Sequence, residues 1–298
     1  MRLRAVRSIW FGAKGAAIAI DPCPVCRRSP AVSACRVKDT IIYRCCRCGL
    51  GWWDFSSFDP QGFYEEDYYR PASDGNGKGY EDYDSLEPGN ALTAKRRLAR
   101  IRKQAPQARA LLDVGCGLGH FLKTARDEGW SVSGYEVSRF AADVVRKRLG
   151  VSVYAGDLKS LGARKFDVVT AWDVLEHVRD PVAFLSQCRS LLSEEGIVVT
   201  TTGDFASMAA RLSGSHWHLY NLPEHLFFHT VKSLSVLARR TGFRILSNTR
   251  PALHVPLSYV RERLLKTLRI RMPATMLDRI VIPVNLFDIM ESVFAPRR

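Results

Sequence analysis

Residues 110–121 read A-L-L-D-V-G-C-G-L-G-H-F. The apolar run that opens this stretch is too short and too close to glycine for a helix, so it predicts a buried strand. Gly115, Gly117 and Gly119 then allow a sharp turn in which bare backbone can approach a ligand. A helix is expected to begin near His120, with its N-terminus facing the same ligand. Together these features predict a nucleotide-type cofactor site on a parallel α/β sheet.

Further strands and helices alternate after this site. Apolar or alternating runs predict strands at 130–135, 151–155, 166–171 and 196–202. Helical patterns lie between them, at 121–128, 139–149 and 181–192. A sixth strand is expected at 243–248 and a seventh at 288–294. Strands that alternate with helices of this length predict βαβ units and a doubly wound, mostly parallel sheet of seven strands.

The glycine pattern itself distinguishes between cofactors. The dinucleotide fingerprint G-x-G-x-x-G needs a third glycine where this chain has His120. The pattern D-x-G-x-G-x-G, which starts at Asp113, instead resembles motif I of the class I S-adenosyl-L-methionine (SAM)-dependent methyltransferases. Residues 172–181, W-D-V-L-E-H-V-R-D-P, resemble the motif that follows the fourth strand in those enzymes. The resemblance implies a Rossmann-like methyltransferase domain with SAM as its cofactor.

Cofactor-binding candidates stand at the ends of the predicted strands. Glu136 lies about 20 residues beyond the glycine turn, where an acid accepts hydrogen bonds from ribose hydroxyls. The resemblance implies that Asp157 holds the adenine amino group and that Asp173 lies near SAM or the substrate. Asp113 is expected to fix the glycine turn. The full candidate set is Asp113, Gly115, Cys116, Gly117, Gly119, Glu136, Asp157, Leu158 and Asp173.

Two cysteine pairs near the N-terminus have the spacing of a metal site. Residues 23–26 read C-P-V-C and residues 45–48 read C-C-R-C. Two such knuckles predict a zinc ribbon over residues 21–51, and its closed four-thiolate site would serve folding or docking. Cys46 could substitute as a ligand, and a pair of disulfides is the alternative in an oxidising compartment. The predicted ligands of this structural Zn²⁺ are Cys23, Cys26, Cys45 and Cys48.

The rest of the chain divides by composition. Residues 1–20 are expected to be a basic N-terminal extension. Residues 52–90, rich in aromatic and acidic side chains, are either a surface linker or a lid over the cofactor. Residues 91–298 are expected to form the methyltransferase domain, with a helical insertion at about residues 252–280. The basic amphipathic pattern of this insertion fits an anionic membrane surface or, alternatively, packing on its own domain.

Histidines concentrate after the fifth predicted strand. Residues 215–230 read S-H-W-H-L-Y-N-L-P-E-H-L-F-F-H-T. The end of this stretch resembles a segment of a bacterial methyltransferase subfamily found with polysaccharide, lipid and nucleotide-sugar pathways. Methyl transfer requires removal of a proton from the acceptor, and histidine suits this because its ordinary pKa is near neutral. His225 is the first candidate for this base and His177 the second, with Glu224 as an orienting residue. A packing role is the alternative for each histidine.

Charge and composition limit the partners. The formal net charge of +14 favours polyanionic partners: nucleic acid, an anionic membrane, or phosphorylated substrates. No run approaches the ~20 apolar residues of a transmembrane segment. An rRNA or tRNA methyltransferase that docks through the zinc ribbon is one alternative. However, the chain has no N-P-P-[FY] motif after strand four, no P-C nucleophile and no RNA-module motif.

These observations predict a cytoplasmic SAM-dependent methyltransferase, with peripheral contact to an anionic membrane as an option. The expected reaction is methylation of a hydroxyl, or less readily a carbon, on a small or lipid-linked metabolite such as a sugar. A second alternative is an inactive adaptor that has kept the fold. The three glycines of the turn, Glu136 and Asp157 argue against loss of activity.

Overall fold

The computed structural model describes residues 22–28, 30–58, 63, 87–261 and 280–297. Within these ranges the strands form a seven-stranded sheet, a four-stranded sheet and a two-stranded ribbon. The predicted N-terminal extension and most of the predicted lid or linker lie outside the described residues. None of the described helices has both the length and the hydropathy that crossing a bilayer requires.

The strands, in chain order, are β1 (Ala31–Val37), β2 (Thr40–Cys45), β3 (Gly51–Trp52), β4 (Ala110–Val114), β5 (Ser131–Tyr135), β6 (Ser152–Tyr154), β7 (Phe166–Trp172), β8 (Leu192–Gly203), β9 (Phe227–Phe228), β10 (Phe243–Thr249), β11 (Leu253–Pro256), β12 (Val281–Val284) and β13 (Ile289–Pro296). The α-helices labelled here are α1 (Glu87–Gln104), α2 (His120–Asp127), α3 (Arg139–Leu149), α4 (Pro181–Ser190), α5 (Met208–Ser213) and α6 (Val231–Arg240), and residues 257–261 are also helical. Short 3-10 helices cover Leu158–Leu161 and Gly214–His216.

The large sheet has the order β10-β13-β8-β7-β4-β5-β6. The pairs from β8 through β6 are parallel, whereas β13 runs antiparallel to both of its neighbours. The predicted doubly wound, mostly parallel sheet is therefore confirmed, including its seventh strand. Since β4 lies beside both β5 and β7, the carboxyl end of β4 is the point where the strand order reverses, and ligands bind there in open α/β sheets.

Local sequence explains where the central elements begin and end. Leu111 and Leu112 of β4 are fully buried, as expected for a strand covered on both faces. Helix α3 begins after Ser138, whose side chain accepts from the backbone N–H of Ala141, and it ends at a left-handed Gly150. Asp180 caps α4 in the same way, with proline in the first turn. These caps therefore set where the helices between the strands begin and end.

The described start of the predicted helical insertion, at about residues 252–280, is a short strand followed by helical residues 257–261. Residues 253–256 form β11, which pairs antiparallel with β12. The backbone N–H of His254 also donates to Thr93 Oγ1 at 2.9 Å, which fixes β11 against α1. Strand pairing and packing on α1 thus make residues 253–256 a strand directly before the helical residues 257–261. The interior of the insertion, residues 262–279, lies outside the described residues.

The N-terminal cysteine segment forms the small sheet, in the order β1-β2-β3-β9. Its first three strands are an antiparallel meander. The fourth, β9, comes from the histidine-rich segment that follows α5. The small sheet therefore ends beside the carboxyl edge of the large one.

Candidate functional site

The glycine turn lies at the carboxyl end of β4. Gly115, Gly117 and Gly119 all have positive φ, at 73°, 52° and 81°. An ideal Cβ at Gly115 would lie 2.6 Å from Val174 Cγ2, so only glycine fits there. An ideal Cβ at Gly117 would have no heavy atom within 4 Å. The backbone at Gly117 therefore faces open space, as a turn that receives a ligand must.

Two predicted acids follow the neighbouring strands β5 and β6. Glu136 is buried at the end of β5, and its carboxylate accepts from the backbone N–H of Gly117 at 2.8 Å and of Ser138 at 3.1 Å. Asp157 is exposed after β6 and accepts from the backbone N–H of Lys159 at 2.9 Å. Leu158, the next residue, is buried. The structure thus holds Glu136 against the glycine turn itself and Asp157 on the neighbouring strand end.

Asp113 and Cys116 lie beneath the turn. The Asp113 carboxylate accepts from Thr170 Oγ1 at 2.6 Å, which ties β4 to β7. Burial raises the pKa of Asp113 to about 7. Cys116 is also buried, and an ideal Cβ at Gly134 would lie 2.9 Å from its Sγ. These two side chains therefore pack the underside of the turn.

A cation that sequence reasoning did not single out lies at the same edge. The Arg97 guanidinium stacks over the ring of Trp172, 4.1 Å from its centroid. Burial lowers the pKa of Arg97, while the charge of Asp173 opposes that shift. Asp173 has a positive φ of 54°, and its backbone N–H donates to Thr201 Oγ1 at 2.9 Å. From the sequence, α1 is only rich in arginine. Its stacking on Trp172 is what distinguishes Arg97 from the other arginines.

The histidine candidates meet at the ends of β7 and β8. The His177 and His225 rings lie perpendicular to each other, with centroids 4.7 Å apart. His225 Nδ1 lies 2.9 Å from the Leu219 carbonyl oxygen, and His177 Nδ1 lies 3.0 Å from the main-chain oxygen of Glu224. Burial lowers the pKa of His225 to about 3 and also lowers that of His177. Both rings are therefore neutral at neutral pH, and the near-neutral pKa that the sequence led us to expect for His225 is not what the structure gives.

Glu176 is a further member of this cluster that sequence reasoning did not select. Its side chain is buried, and its Oε2 has no hydrogen-bond partner among the described residues. Ligand atoms of Glu176, His177 and His225 lie within 4.8 Å of one another, so this set could hold a cation. Burial, with the nearby charge of Asp173, raises the pKa of Glu176 to about 8. The one sequence signal was the acid directly before His177.

The pKa of Glu176 leads to a stability prediction. The folded-state pKa is raised to about 8 from an ordinary 4.5, so its contribution to stability is full below pH 4.5 and is lost as pH rises through 8. We expect Glu176→Gln to become more stable relative to the parent chain as pH rises, by on the order of a few kcal/mol between pH 5 and pH 8. Urea denaturation at both pH values measures this difference. A difference that stays constant with pH would contradict the raised pKa.

The four predicted cysteine ligands also converge. Cys23 Sγ lies 3.5 Å from Cys48 Sγ, and Cys26 Sγ lies 3.5 Å from Cys45 Sγ. All four sulfur atoms lie within 4.8 Å of one another. Tetrahedral zinc with Zn–S bonds near 2.3 Å sets sulfurs about 3.8 Å apart, so this set fits the ion. Cys46 is exposed outside the cluster, and all eight cysteines are free thiols.

Comparisons with known proteins agree on one family. A methyltransferase-domain family matches residues 89–248. The ubiquinone biosynthesis O-methyltransferase of Histophilus somni (strain 2336) is 30% identical over 144 residues, which are 43% of this chain and 60% of that protein. The enzyme of the same name from Cereibacter sphaeroides (strain ATCC 17025 / ATH 2.4.3) is 33% identical over 150 residues, 46% of this chain and 60% of that protein. The match thus spans about 60% of the length of these curated relatives.

Among solved structures, magnesium protoporphyrin IX methyltransferase from Synechocystis PCC 6803, crystallised with bound SAH, is 16% identical. The alignment covers 74% of this chain and 90% of that chain, with a TM-score of 0.49.

Proposed function

The chain belongs to the methyltransferase-domain family of class I SAM-dependent methyltransferases, and from this premise we propose that it transfers a methyl group from SAM to a hydroxyl of a small or lipid-linked metabolite, such as a sugar. One observation carries the proposal: the glycine turn and Glu136 border open space at the same sheet edge as the neutral pair of buried His225 and half-buried His177. The O-methyltransferase names of the relatives support oxygen as the acceptor atom.

The residues at the turn fit SAM. The open space at Gly117 leaves room for the ligand against bare backbone, and Glu136 and Asp157 offer acceptors for ribose hydroxyls and the adenine amino group. Arg97 brings a cation that suits the carboxylate of the amino-acid portion. Asp173 and Glu136 provide negative charge for a ligand that carries an ammonium and a sulfonium. These residues are therefore the proposed cofactor site.

The protein's own contribution to the reaction is positioning and proton removal. Bound SAM supplies a methyl group on a sulfonium, which is already activated for transfer. The turn fixes the donor, and the segment around His225 fixes the acceptor, so that the two meet in line. The neutral His225 ring accepts the proton that the hydroxyl loses, and the perpendicular His177 ring beside it limits its rotation. Glu224 orients His177 through its main-chain oxygen.

A prediction concerns the ribose-binding acid. Glu136→Gln keeps the size of the side chain but removes its charge, and the new amide N–H₂ can accept neither from a ribose hydroxyl nor from the backbone N–H of Gly117 or Ser138. We expect SAM affinity to fall by about 10- to 100-fold, the range for a lost hydrogen bond to a charged group. Isothermal titration calorimetry measures the change. Glu194→Gln, at an exposed position near the start of β8, is the matched control and should bind SAM like the parent chain.

We also propose that the four-cysteine cluster holds one structural zinc ion. The support is the convergence of four thiols at distances that suit tetrahedral coordination, with the sulfur atoms of Cys23, Cys45 and Cys48 on buried residues. Such a closed site leaves no position for substrate. Elemental analysis of the purified chain is expected to find one zinc per chain, and cobalt substitution should give the thiolate charge-transfer bands of a four-thiolate site.

Turnover assays with SAM test the proposed function. The acceptor panel contains sugars, nucleotide sugars, phenols and lipid-linked hydroxyl compounds, and SAH formation is the readout. We expect SAH formation with at least one of these acceptors and a product heavier by one methyl group. Turnover on RNA alone, lost after ribonuclease treatment, would overturn the proposal in favour of an RNA methyltransferase. SAM binding without turnover on any acceptor would favour the inactive adaptor.

A further inference from the structure

The small sheet connects the cysteine cluster with the candidate base. Strand β3 pairs antiparallel with β9, with Gly51 opposite Phe228 and Trp52 opposite Phe227. Strand β9 begins two residues after His225. Strand β3, in turn, begins three residues after Cys48, a member of the thiol cluster. Main-chain pairing therefore links a metal-binding knuckle to the segment that carries His225.

Trp53 extends this link to His225 itself. The indole Nε1–H of Trp53 donates to the main-chain oxygen of His225 at 2.9 Å. On the other side of the segment, the Glu176 main-chain oxygen accepts from the backbone N–H of Leu226 at 2.8 Å and of Phe227 at 3.2 Å. The main chain at His225 is thus held between residues 22–53, which carry the cysteine cluster and strands β1–β3 and are called the cysteine domain below, and the loop after β7. Neither contact uses the His225 ring, whose Nδ1 lies instead 2.9 Å from the Leu219 carbonyl oxygen.

The cysteine domain also attaches to the helix that follows β9. Thr230 Oγ1, at the N-cap of α6, donates to the Cys48 carbonyl oxygen at 3.1 Å. At the other end of α6, Arg240 Nη1 donates to the Val25 carbonyl oxygen at 2.5 Å. Both acceptors lie in the two cysteine knuckles. The knuckles therefore fix both ends of α6, and β9 lies directly before this helix.

Close packing makes the connection stiff. An ideal Cβ at Gly51 would lie 2.7 Å from the Phe205 ring and 3.0 Å from Phe228 Cβ. The rings of Phe55 and Phe227 meet edge to face, with centroids 5.2 Å apart. Because close-packed interiors transmit displacements, a shift of the knuckle would move the His225 segment with it.

We infer that Trp53 is a positioning residue for methyl transfer and that metal bound at the four cysteines sets its position. The ion would not contact the reactants. It would fix β3 and Trp53, and Trp53 would hold the main chain of His225. This inference rests on the proposed function for its turnover readout. It extends the role of the cysteine domain from folding to placement of the base.

Hydrogen–deuterium exchange tests the inference without an acceptor. In the full-length chain, removal of zinc with a chelator is expected to raise exchange in a peptide covering 225–229 at least about tenfold, while the glycine-turn peptide 110–121 and SAM affinity stay unchanged. Unchanged exchange at 225–229 after verified zinc loss would overturn the inference. If chelation raises exchange across the whole chain, the Trp53→Phe variant described below tests the inference in its place.

Trp53→Phe removes the indole donor and retains an aromatic ring. We expect exchange at 225–229 to rise and kcat to fall about five- to tenfold, with SAM affinity and one zinc per chain unchanged. Trp130→Phe is the matched control, because the indole Nε1 of buried Trp130 has no hydrogen-bond partner in the described part of the chain. Parental exchange and kcat in Trp53→Phe would refute the inference. Absence of turnover in the parent chain would instead refute the proposed function. The exchange measurements would still test the inference that bound metal positions Trp53.

Discussion

His225→Ala is expected to lower turnover by about 10²- to 10⁴-fold, the usual contribution of a positioned general base. SAM affinity should stay within about twofold, because the His225 ring lies by His177 at the ends of β7 and β8 and not in the glycine turn. Initial rates of SAH formation, together with calorimetry, separate the two effects. A variant with parental turnover would remove His225 as the base and leave His177 as the candidate.

His216→Ala provides the control for this prediction. His216 lies in the same histidine-rich segment, in an exposed 3-10 helix, so its loss should leave turnover unchanged. The pH profile gives a second check. Because burial lowers the pKa of His225 to about 3, the ring stays neutral as pH falls from 8 to 6. Turnover should therefore show no acid limb near 6.5, where an exposed histidine would titrate.

Gly117→Ala is expected to abolish most SAM binding. Its Cβ would enter the open space that we assign to the cofactor, and overpacking of about 3 kcal/mol corresponds to about a hundredfold loss of affinity. Calorimetry with SAM measures the loss. Retained affinity would mean that the cofactor does not lie against this turn.

Two glycine controls separate cofactor exclusion from backbone strain. Gly129 has a φ of 83° and open space around an ideal Cβ, so Gly129→Ala carries a similar strain away from the turn. It should match Gly117→Ala in unfolding free energy and retain SAM binding. Gly115→Ala should be less stable than both, because its Cβ would lie 2.6 Å from Val174 Cγ2.

The large sheet could be predicted because its signals are local. The apolar run at 166–171 and the glycine turn each determine an element without reference to distant residues. The insertion shows the limit of such signals. Residues 253–256 pair with 281–284, and the His254 N–H donates to Thr93, so a strand precedes the helical residues 257–261. A partner so far away in sequence has no local signature.

The candidate site shows the same difference between local signals and long-range contacts. The four cysteines could be selected by their spacing, and His225 could be selected by its residue type within the histidine-rich segment. Glu176 was missed because its importance comes from burial, which only the packed structure reveals. The contact between Trp53 and His225 joins residues 172 positions apart, and no motif connects them. Thus the sequence could nominate the candidate residues by type, whereas the contact between Trp53 and His225 could be seen only in the folded chain.

The central claim is that SAM binds across the carboxyl end of β4, between the glycine turn and Glu136. A crystal structure of the chain with SAH tests it most directly. The account predicts the ligand against the Gly117 backbone, with its ribose hydroxyls on the Glu136 carboxylate and its sulfur on the side of the His177 and His225 rings. Density for SAH at another position, or none at saturating concentration, would contradict it.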